Sequence, residues 1–319
     1  MSFTVRLIVA LALCSTGFTA PARAQTNASN GGYLFPTDAS RRVNSGFADF
    51  RDTHFHGGID ISTNGKIGYP VYAAKSGYVY RVTVSPYGYG RRIVLRHDDS
   101  TYTLYAHLSA FSKEIEERVK AAQASTGRYN VDLRFRPGEI RVERGAVIGR
   151  TGATGAGGPH LHFEIHDRNY GFVDPLIYKS LDITDRMTPK VFGVGVRGFY
   201  SGNARLSGVV RLRRGYRAEK TFDIHEPFFF VIHAADSYRR GRYKRPPKHI
   251  ELRIDGKKYL SVDLTHIDAA DYLDVSSLVD SKLSRGHSYK TYYKLCVDRA
   301  APFTVVTPSA PLSANSPNS

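Results

Sequence analysis

Three short stretches of the chain alternate apolar and polar residues with a period of two. They are His-Phe-His-Gly-Gly-Ile-Asp at 54–60, Tyr-Thr-Leu-Tyr-Ala-His-Leu at 102–108 and His-Leu-His-Phe-Glu-Ile-His at 160–166. This period belongs to a β-strand with one face on a core and the other free. It predicts Phe55, Ile59 and Ile61 on one face, with His54, His56 and Asp60 on the other. In the second stretch Leu104, Ala106 and Leu108 oppose Tyr105 and His107; in the third Leu161, Phe163 and Ile165 oppose His160, His162 and Glu164. Further strands are predicted at 70–74, 77–82 and 92–97, punctuated by turn signals such as Lys75-Ser76-Gly77 and Pro86-Tyr87-Gly88. An antiparallel β-sheet over residues 33–180 is the expectation.

One segment changes period. From Ser112 to Ser125, Ile115, Val119 and Ala122 recur at helical spacing, Ser112 can act as N-cap, and Glu114, Glu116 and Glu117 fall where the helix dipole favours acid. This predicts a helix inserted beside the sheet, either as a groove wall or as a plain surface helix. After Asp174-Pro175-Leu176 and a polar stretch at 182–185, strand-like runs follow at 191–196, 204–213, 228–233, 250–254, 258–264 and 289–297. Their lengths and turn spacing predict a second, β-sandwich domain over 186–306. The fold class expected is mainly β: an antiparallel catalytic sheet with an inserted helix, then a sandwich. Residues 25–32 and 307–319 read as disordered.

Composition adds a compartment and a charge. Arg6, the short apolar run 7–14 and Ala22-Arg23-Ala24 read as a secretory signal over residues 1–24, which implies a periplasmic or secreted protein. The apolar run is too short to span a bilayer, and no membrane span is expected elsewhere. Of the two cysteines, Cys14 lies in that signal, where bulky Leu13 argues against lipidation, and Cys296 reads as a buried structural thiol. The net charge is +16; residues 186–300 carry 23 Lys and Arg against 12 Asp and Glu. The densest run is Tyr238–Lys248. Outside a cytoplasm such a surface suits anionic envelope polymers; no nucleic-acid-binding motif accompanies it.

The polar faces pool imidazoles and carboxylates. His56 and Asp60 flank two glycines, and His162 follows His160 at i+2, so two His and one Asp are available with a fourth position open to water. That is the donor set of a catalytic zinc site. No HExxH helix occurs, which leaves His107 and His160 as the groups for proton transfer, their two roles undivided. His54, Glu164 and His166 read as supporting or bystander residues, Tyr69 and Tyr105 as groove or core.

At these residues the chain resembles the lysostaphin/LytM-type zinc metalloendopeptidases, which cleave peptidoglycan peptides. The resemblance rests on His56-Gly-Gly-Ile-Asp60, Tyr105-Ala-His107-Leu108 and Gly158-Pro-His160-Leu-His162-Phe-Glu164, supported by 70–74, Gly145–Gly149 and Thr151–Gly155, and it covers about residues 44–178. It implies His56, Asp60 and His162 as zinc ligands and His107 and His160 as the catalytic pair, with peptidoglycan as substrate. The insertion at 112–136 and the Ala156-Gly157 step depart from simpler members. A D,D-endopeptidase acting on cross-links is the first expectation and a glycyl-glycine or general endopeptidase the second. The competing class is an envelope-binding activator of wall hydrolysis without turnover, against which the intact five-residue set argues.

Overall fold

The computed structural model describes residues 3–6, 32–155, 157–183, 188–212, 215–218, 221–237, 244–254, 257–284 and 290–296. The fold is mainly antiparallel β. The first region contains β1 (Val43–Ser45), β2 (Ile59–Ser62), β3 (Pro70–Tyr72), β4 (Gly77–Val84), β5 (Arg91–His97), β6 (Tyr102–Ala106), β7 (Ala110–Phe111), α1 (Lys113–Thr126), β8 (Val131–Arg134), β9 (Arg141–Val142), β10 (Val147–Arg150), β11 (His160–His166) and β12 (Phe172–Val173). The second contains β13 (Lys190–Gly198), β14 (Ala204–Gly208), β15 (Phe228–Ser237), β16 (Lys244–Arg245), β17 (His249–Ile254), β18 (Lys257–Asp263), β19 (His266–Ile267), α2 (Val275–Leu278), α3 (Ser281–Ser284) and β20 (Tyr292–Leu295).

The main sheet runs β9-β4-β5-β6-β11-β12-β19, with β8 beside β4, β2 beside β11 and β1 beside β2. Strand β11 is its hinge of organisation. One edge pairs with β6; the other is shared by β2, opposite His160 to Phe163, and β12, opposite Ile165 and His166. Beneath it lies the three-stranded sheet β3-β10-β7. Between the two sits a core that includes Ile59, Ile61, Val71, Ile93, Leu95, Leu161, Phe163 and Ile165. Burying each such side chain contributes about 1.5–3 kcal/mol, which locks the register and holds the opposite, polar face of β11 away from the core.

Helix α1 buries Ile115 and Val119 in this same core. It therefore packs on the first core through that face. Ser112 occupies its N-cap position without a side-chain capping bond, and Gly127 closes it at φ 64°, its N–H donating to the Gln123 carbonyl. Sequence periodicity placed the helix correctly but could not say which side of the sheet it covers.

In the second region β14-β13-β15-β16 form a sheet with β20 added at β15, and β17 pairs with β18 as a two-stranded ribbon. Val194, Val196, Ile232 and Ala234 of the sheet share a core with Ile250, Leu252, Leu260 and Val262 of the ribbon. The short helices α2 and α3 have too few residues to show a period and escaped the sequence reading.

The two regions are joined laterally as well as through the chain. Phe47, Ala48, Phe55 and Phe172 of the first region lie in the core of the second, and β12 pairs with β19. Phe55 therefore departs from the face expected for it: Ile59 and Ile61 enter the first core, Phe55 the second. The reason is local, since the strand begins only at Ile59 and 54–58 is loop. Residues 3–6 pair with 221–224, so this part of the segment read as an export signal lies on the second region. The rest of that segment with Cys14, residues 238–243 of the basic run and the 307–319 tail lie outside the described residues. Cys296 is half-buried and not fully enclosed.

Candidate metal centre

The polar face of β11 carries the candidate centre. His162 lies directly across from Asp60 on β2 and from Ala106 on β6. His56 reaches it from the loop entering β2. That loop passes so close to β11 that a Cβ on Gly58 would lie 2.2 Å from the Phe163 carbonyl oxygen, and one on Gly57 would lie 2.6 Å from the Phe172 ring. The two glycines allow close backbone approach, at which any larger residue would collide.

Among the described residues, His56, Asp60 and His162 form a group of potential ligand atoms within 4.8 Å of one another. His56 Nε2 and His162 Nδ1 lie 3.1 and 2.9 Å from Asp60 Oδ1, and 3.0 Å from each other. Two imidazole nitrogens and one carboxylate oxygen converging on a point are a fitting donor set for zinc, with room for a water as fourth ligand.

The outer nitrogens explain why the inner ones point inward. His56 Nδ1–H donates to the Gly46 carbonyl at 2.7 Å, and His162 Nε2–H donates to Glu164 at 2.7 Å. Each ring is thereby fixed with its other nitrogen turned inward, the one a metal would take in place of a proton, since a ligating histidine is oriented by the bond its second nitrogen makes. Glu164 is fully buried and also accepts from His166 Nε2 at 2.7 Å and from the Tyr89 hydroxyl at 2.6 Å. Burial alone would raise its pKa, yet the His162 and His166 hydrogen bonds hold it well below the usual carboxylate range. Burial likewise works against Asp60, and His56 and His162 keep it ionised. His162 loses charge stability to burial but is carried up to about 9 by Asp60 and Glu164.

His107 and His160 sit beside this group, their ring centroids 4.5 Å apart. His107 Nδ1–H donates to the Thr154 carbonyl at 2.9 Å and His160 Nδ1–H to the Gly158 carbonyl at 3.0 Å, so both turn Nε2 toward the centre. His160 Nε2 is 3.6 Å from Asp60 Oδ1. Burial, then the His162 and His160 rings, push His107 down to about 4, which makes it a neutral base at pH 7. The Thr151–Gly155 motif has a concrete purpose here: Thr154 Oγ1 donates to the Leu108 carbonyl and accepts from the Arg91 N–H, fixing the loop whose carbonyl orients His107.

The second alternating stretch needs correction. Tyr105 does not share a face with His107; it is fully buried in the first core against Phe163, while Leu104 and Ala106 lie on the polar-face side with Val94 and Tyr102. Strand β6 ends at Ala106, and His107 adopts φ 62°, a left-handed conformation that turns its ring over to the β11 histidines. Period-two counting fails at that residue. His54 is half-buried beside Tyr272 and outside the ligand group. Tyr89, whose ring lies 5.4 Å from that of His162, gave no sequence signal because it belongs to a turn.

Residues 54–127 match the model of Peptidase family M23. An uncharacterized metalloprotease of Haemophilus influenzae is 35% identical over 44% of this chain and 25% of its own length. The peptidoglycan DD-endopeptidase ShyB of Vibrio cholerae is 33% identical over 42% of this chain and 28% of its own. A zinc-containing peptidase of Vibrio cholerae, of known crystal structure, is 32% identical over 43% of this chain and 37% of its own, with a TM-score of 0.32. The chain thus spans about a quarter of the length of the curated relatives it matches. Within the first region, residues 54–127 are thus similar to Peptidase family M23, as the motifs at His56, Asp60 and His107 led one to expect.

Proposed function

We propose that the protein is a zinc metalloendopeptidase that hydrolyses peptide bonds in peptidoglycan, a D,D cross-link being the first choice for the bond it cuts and a glycyl-glycine or general peptide bond the alternative. One observation carries this reading: four histidines converge on one face, each with its outer nitrogen tied to a carbonyl or carboxylate and its inner nitrogen turned toward the centre. His56, Asp60 and His162 would hold the metal. A zinc ion bound there supplies a Lewis acid and a water acidified from pKa 15.7 to about 7.

The remaining work falls to side chains. His107, neutral at pH 7, is suited to take a proton from the attacking water, and its bond to Thr154 keeps the receiving nitrogen inward. His160, the more open of the pair, is suited, with a proton on Nε2, to hydrogen-bond the oxygen that gains charge as the carbonyl is attacked, and the proton taken up by His107 is the one passed on to the leaving amine. Glu164 and the Gly46 carbonyl hold the two ligand rings still. Residues 33–180 would be the peptidase domain and 186–306 an accessory domain. Export to the periplasm or beyond follows from the N-terminal pattern, and the +16 charge supports contact with anionic envelope polymer. No helix among the described residues is long and apolar enough to cross a membrane.

The test is incubation of zinc-loaded protein with purified cross-linked muropeptides. Release of monomers by the native chain, and none by His107→Ala, is expected. Intact dimers in both samples would sink the hydrolase reading.

A further inference from the structure

The face of the main sheet that carries the centre continues beyond it and turns basic. Strand pairing carries that face outward from β11: Glu164 lies opposite Leu104 on β6, and Leu104 opposite Val94 on β5. Val94, Tyr102, Leu104 and Ala106 form a small cluster of their own, apart from the core that takes Ile93, Leu95 and Tyr105. Period two places Arg92 and Arg96 on the same face as Val94. Across β4 and β8 the face goes on: Val94 pairs with Arg81, Arg92 with Thr83, Arg81 with Arg134 and Thr83 with Asp132. Four arginines against one carboxylate leave an excess of three positive charges in these rows. Arg81 already holds Asp132 through two hydrogen bonds, at 2.7 and 2.5 Å. The other three are held by hydroxyls: Arg92 Nε donates to Thr83 Oγ1 at 3.1 Å, Arg96 to the Tyr78 hydroxyl at 3.4 Å and Arg134 to the Tyr80 hydroxyl at 3.3 Å.

We propose that this arginine face, with Arg92 at its inner end, is a subsite for carboxylates of the substrate peptide, so that the enzyme selects peptides bearing a free acid near the cleaved bond. This rests on the peptidase reading above and adds a substrate class to it. Three observations meet at Arg92. Its guanidinium lies 4.9 Å over the ring of Tyr89, and that ring is 5.4 Å from the ring of His162. Among the described residues only its Nε is engaged, so both terminal nitrogens of the fork face no protein acceptor. Its strand is two removed from β11, about 10 Å at 4.7–4.9 Å per strand, which an extended peptide covers in about three residues. A peptide that is held at the centre and runs across β6 therefore brings a carboxylate two or three residues from the cleaved bond to Arg92. The planar fork suits that group, since it takes a carboxylate through two parallel hydrogen bonds. A bridge made of glycines alone offers no side-chain acid there, so the subsite favours the acid-bearing cross-link.

The experiment compares a cross-linked muropeptide dimer with the same dimer whose carboxylates have been converted to amides, on the full zinc-loaded chain and two variants. Arg92→Gln removes the charge and keeps a polar side chain; Lys120→Gln, exposed on α1, makes the same charge change elsewhere. The native chain should prefer the free acid. Arg92→Gln should raise KM for the acid roughly three- to tenfold, with kcat, the KM for the amide and the melting temperature close to native, and Lys120→Gln should behave as native throughout. Equal KM values for acid and amide in the native chain would overturn the proposal, and so would a loss as large in Lys120→Gln, which would make the effect one of overall charge. If the native chain cleaves neither dimer, the proposed function fails, and calorimetric binding of the two dimers to the same proteins decides the subsite: a preference for the acid that Arg92→Gln erases supports it, and equal binding overturns it.

Discussion

Replacing Glu164 by Gln should weaken zinc binding about 10–100-fold, and the reason lies in how many donors that carboxylate serves. It is fully buried and accepts three hydrogen bonds, from His162, His166 and Tyr89, all within 2.6–2.7 Å. A glutamine of the same shape offers one oxygen and one NH2 group, so at least one donor meets another donor. A charge-assisted hydrogen bond contributes about 1.5–3 kcal/mol. Where the NH2 group faces His162, that ring must move its proton to Nδ1, which lies 2.9 Å from Asp60. That tautomer satisfies Asp60 but blocks the nitrogen a metal needs. Losing a support of this kind typically costs 10–100-fold in metal affinity, or about 1.4–2.8 kcal/mol at 1.4 kcal/mol per tenfold. Chelator competition on native and Glu164→Gln protein measures it directly. An affinity within threefold of native would refute the claim that Glu164 sets the His162 tautomer.

His107→Ala and His160→Ala should each lower turnover by about 10²–10⁴-fold while one zinc per chain is retained; loss of the metal in either would move that residue into the ligand set. Gly58→Ala should destabilise the fold by roughly 1–3 kcal/mol, seen as a melting temperature several degrees lower, because its Cβ meets the Phe163 carbonyl at 2.2 Å; an unchanged melt would contradict the close approach. His97 is buried, hydrogen-bonded to the Ser76 carbonyl and Thr103, and held down to about 4, mainly by burial, against 6.5 when free. Between those values the unfolded chain binds the extra proton, so the contribution is complete above pH 6.5 and is lost as pH falls towards 4, about 3 kcal/mol in all. Denaturant titrations of His97→Gln should show a flatter acid limb than native protein, and equal slopes would remove His97 as the cause.

Much of the centre was legible because three of its pieces lie on or beside strands, where period two reports a face. His160, His162 and Glu164 alternate along β11 without interruption, and Asp60 follows from pairing with β2. Legibility ended wherever the backbone left that period. His107 turns back through a positive φ, so the alternation assigned Tyr105 to the wrong side. His56 and Phe55 stand in a loop, where sequence spacing says nothing about which core receives the aromatic ring. The acceptors at Gly46, Thr154 and Gly158 are backbone carbonyls, identical in every residue and thus invisible in a sequence.

The central claim is that His56, Asp60 and His162 hold one zinc ion that this chain uses to cut peptidoglycan peptides. Metal content and muropeptide cleavage measured on the same preparations of native and His56→Ala protein test it most directly. The account predicts one zinc per native chain with cross-linked dimers converted to monomers, and neither zinc nor conversion for His56→Ala. A full complement of zinc in His56→Ala, or a zinc-loaded native chain that leaves every dimer intact, would contradict it.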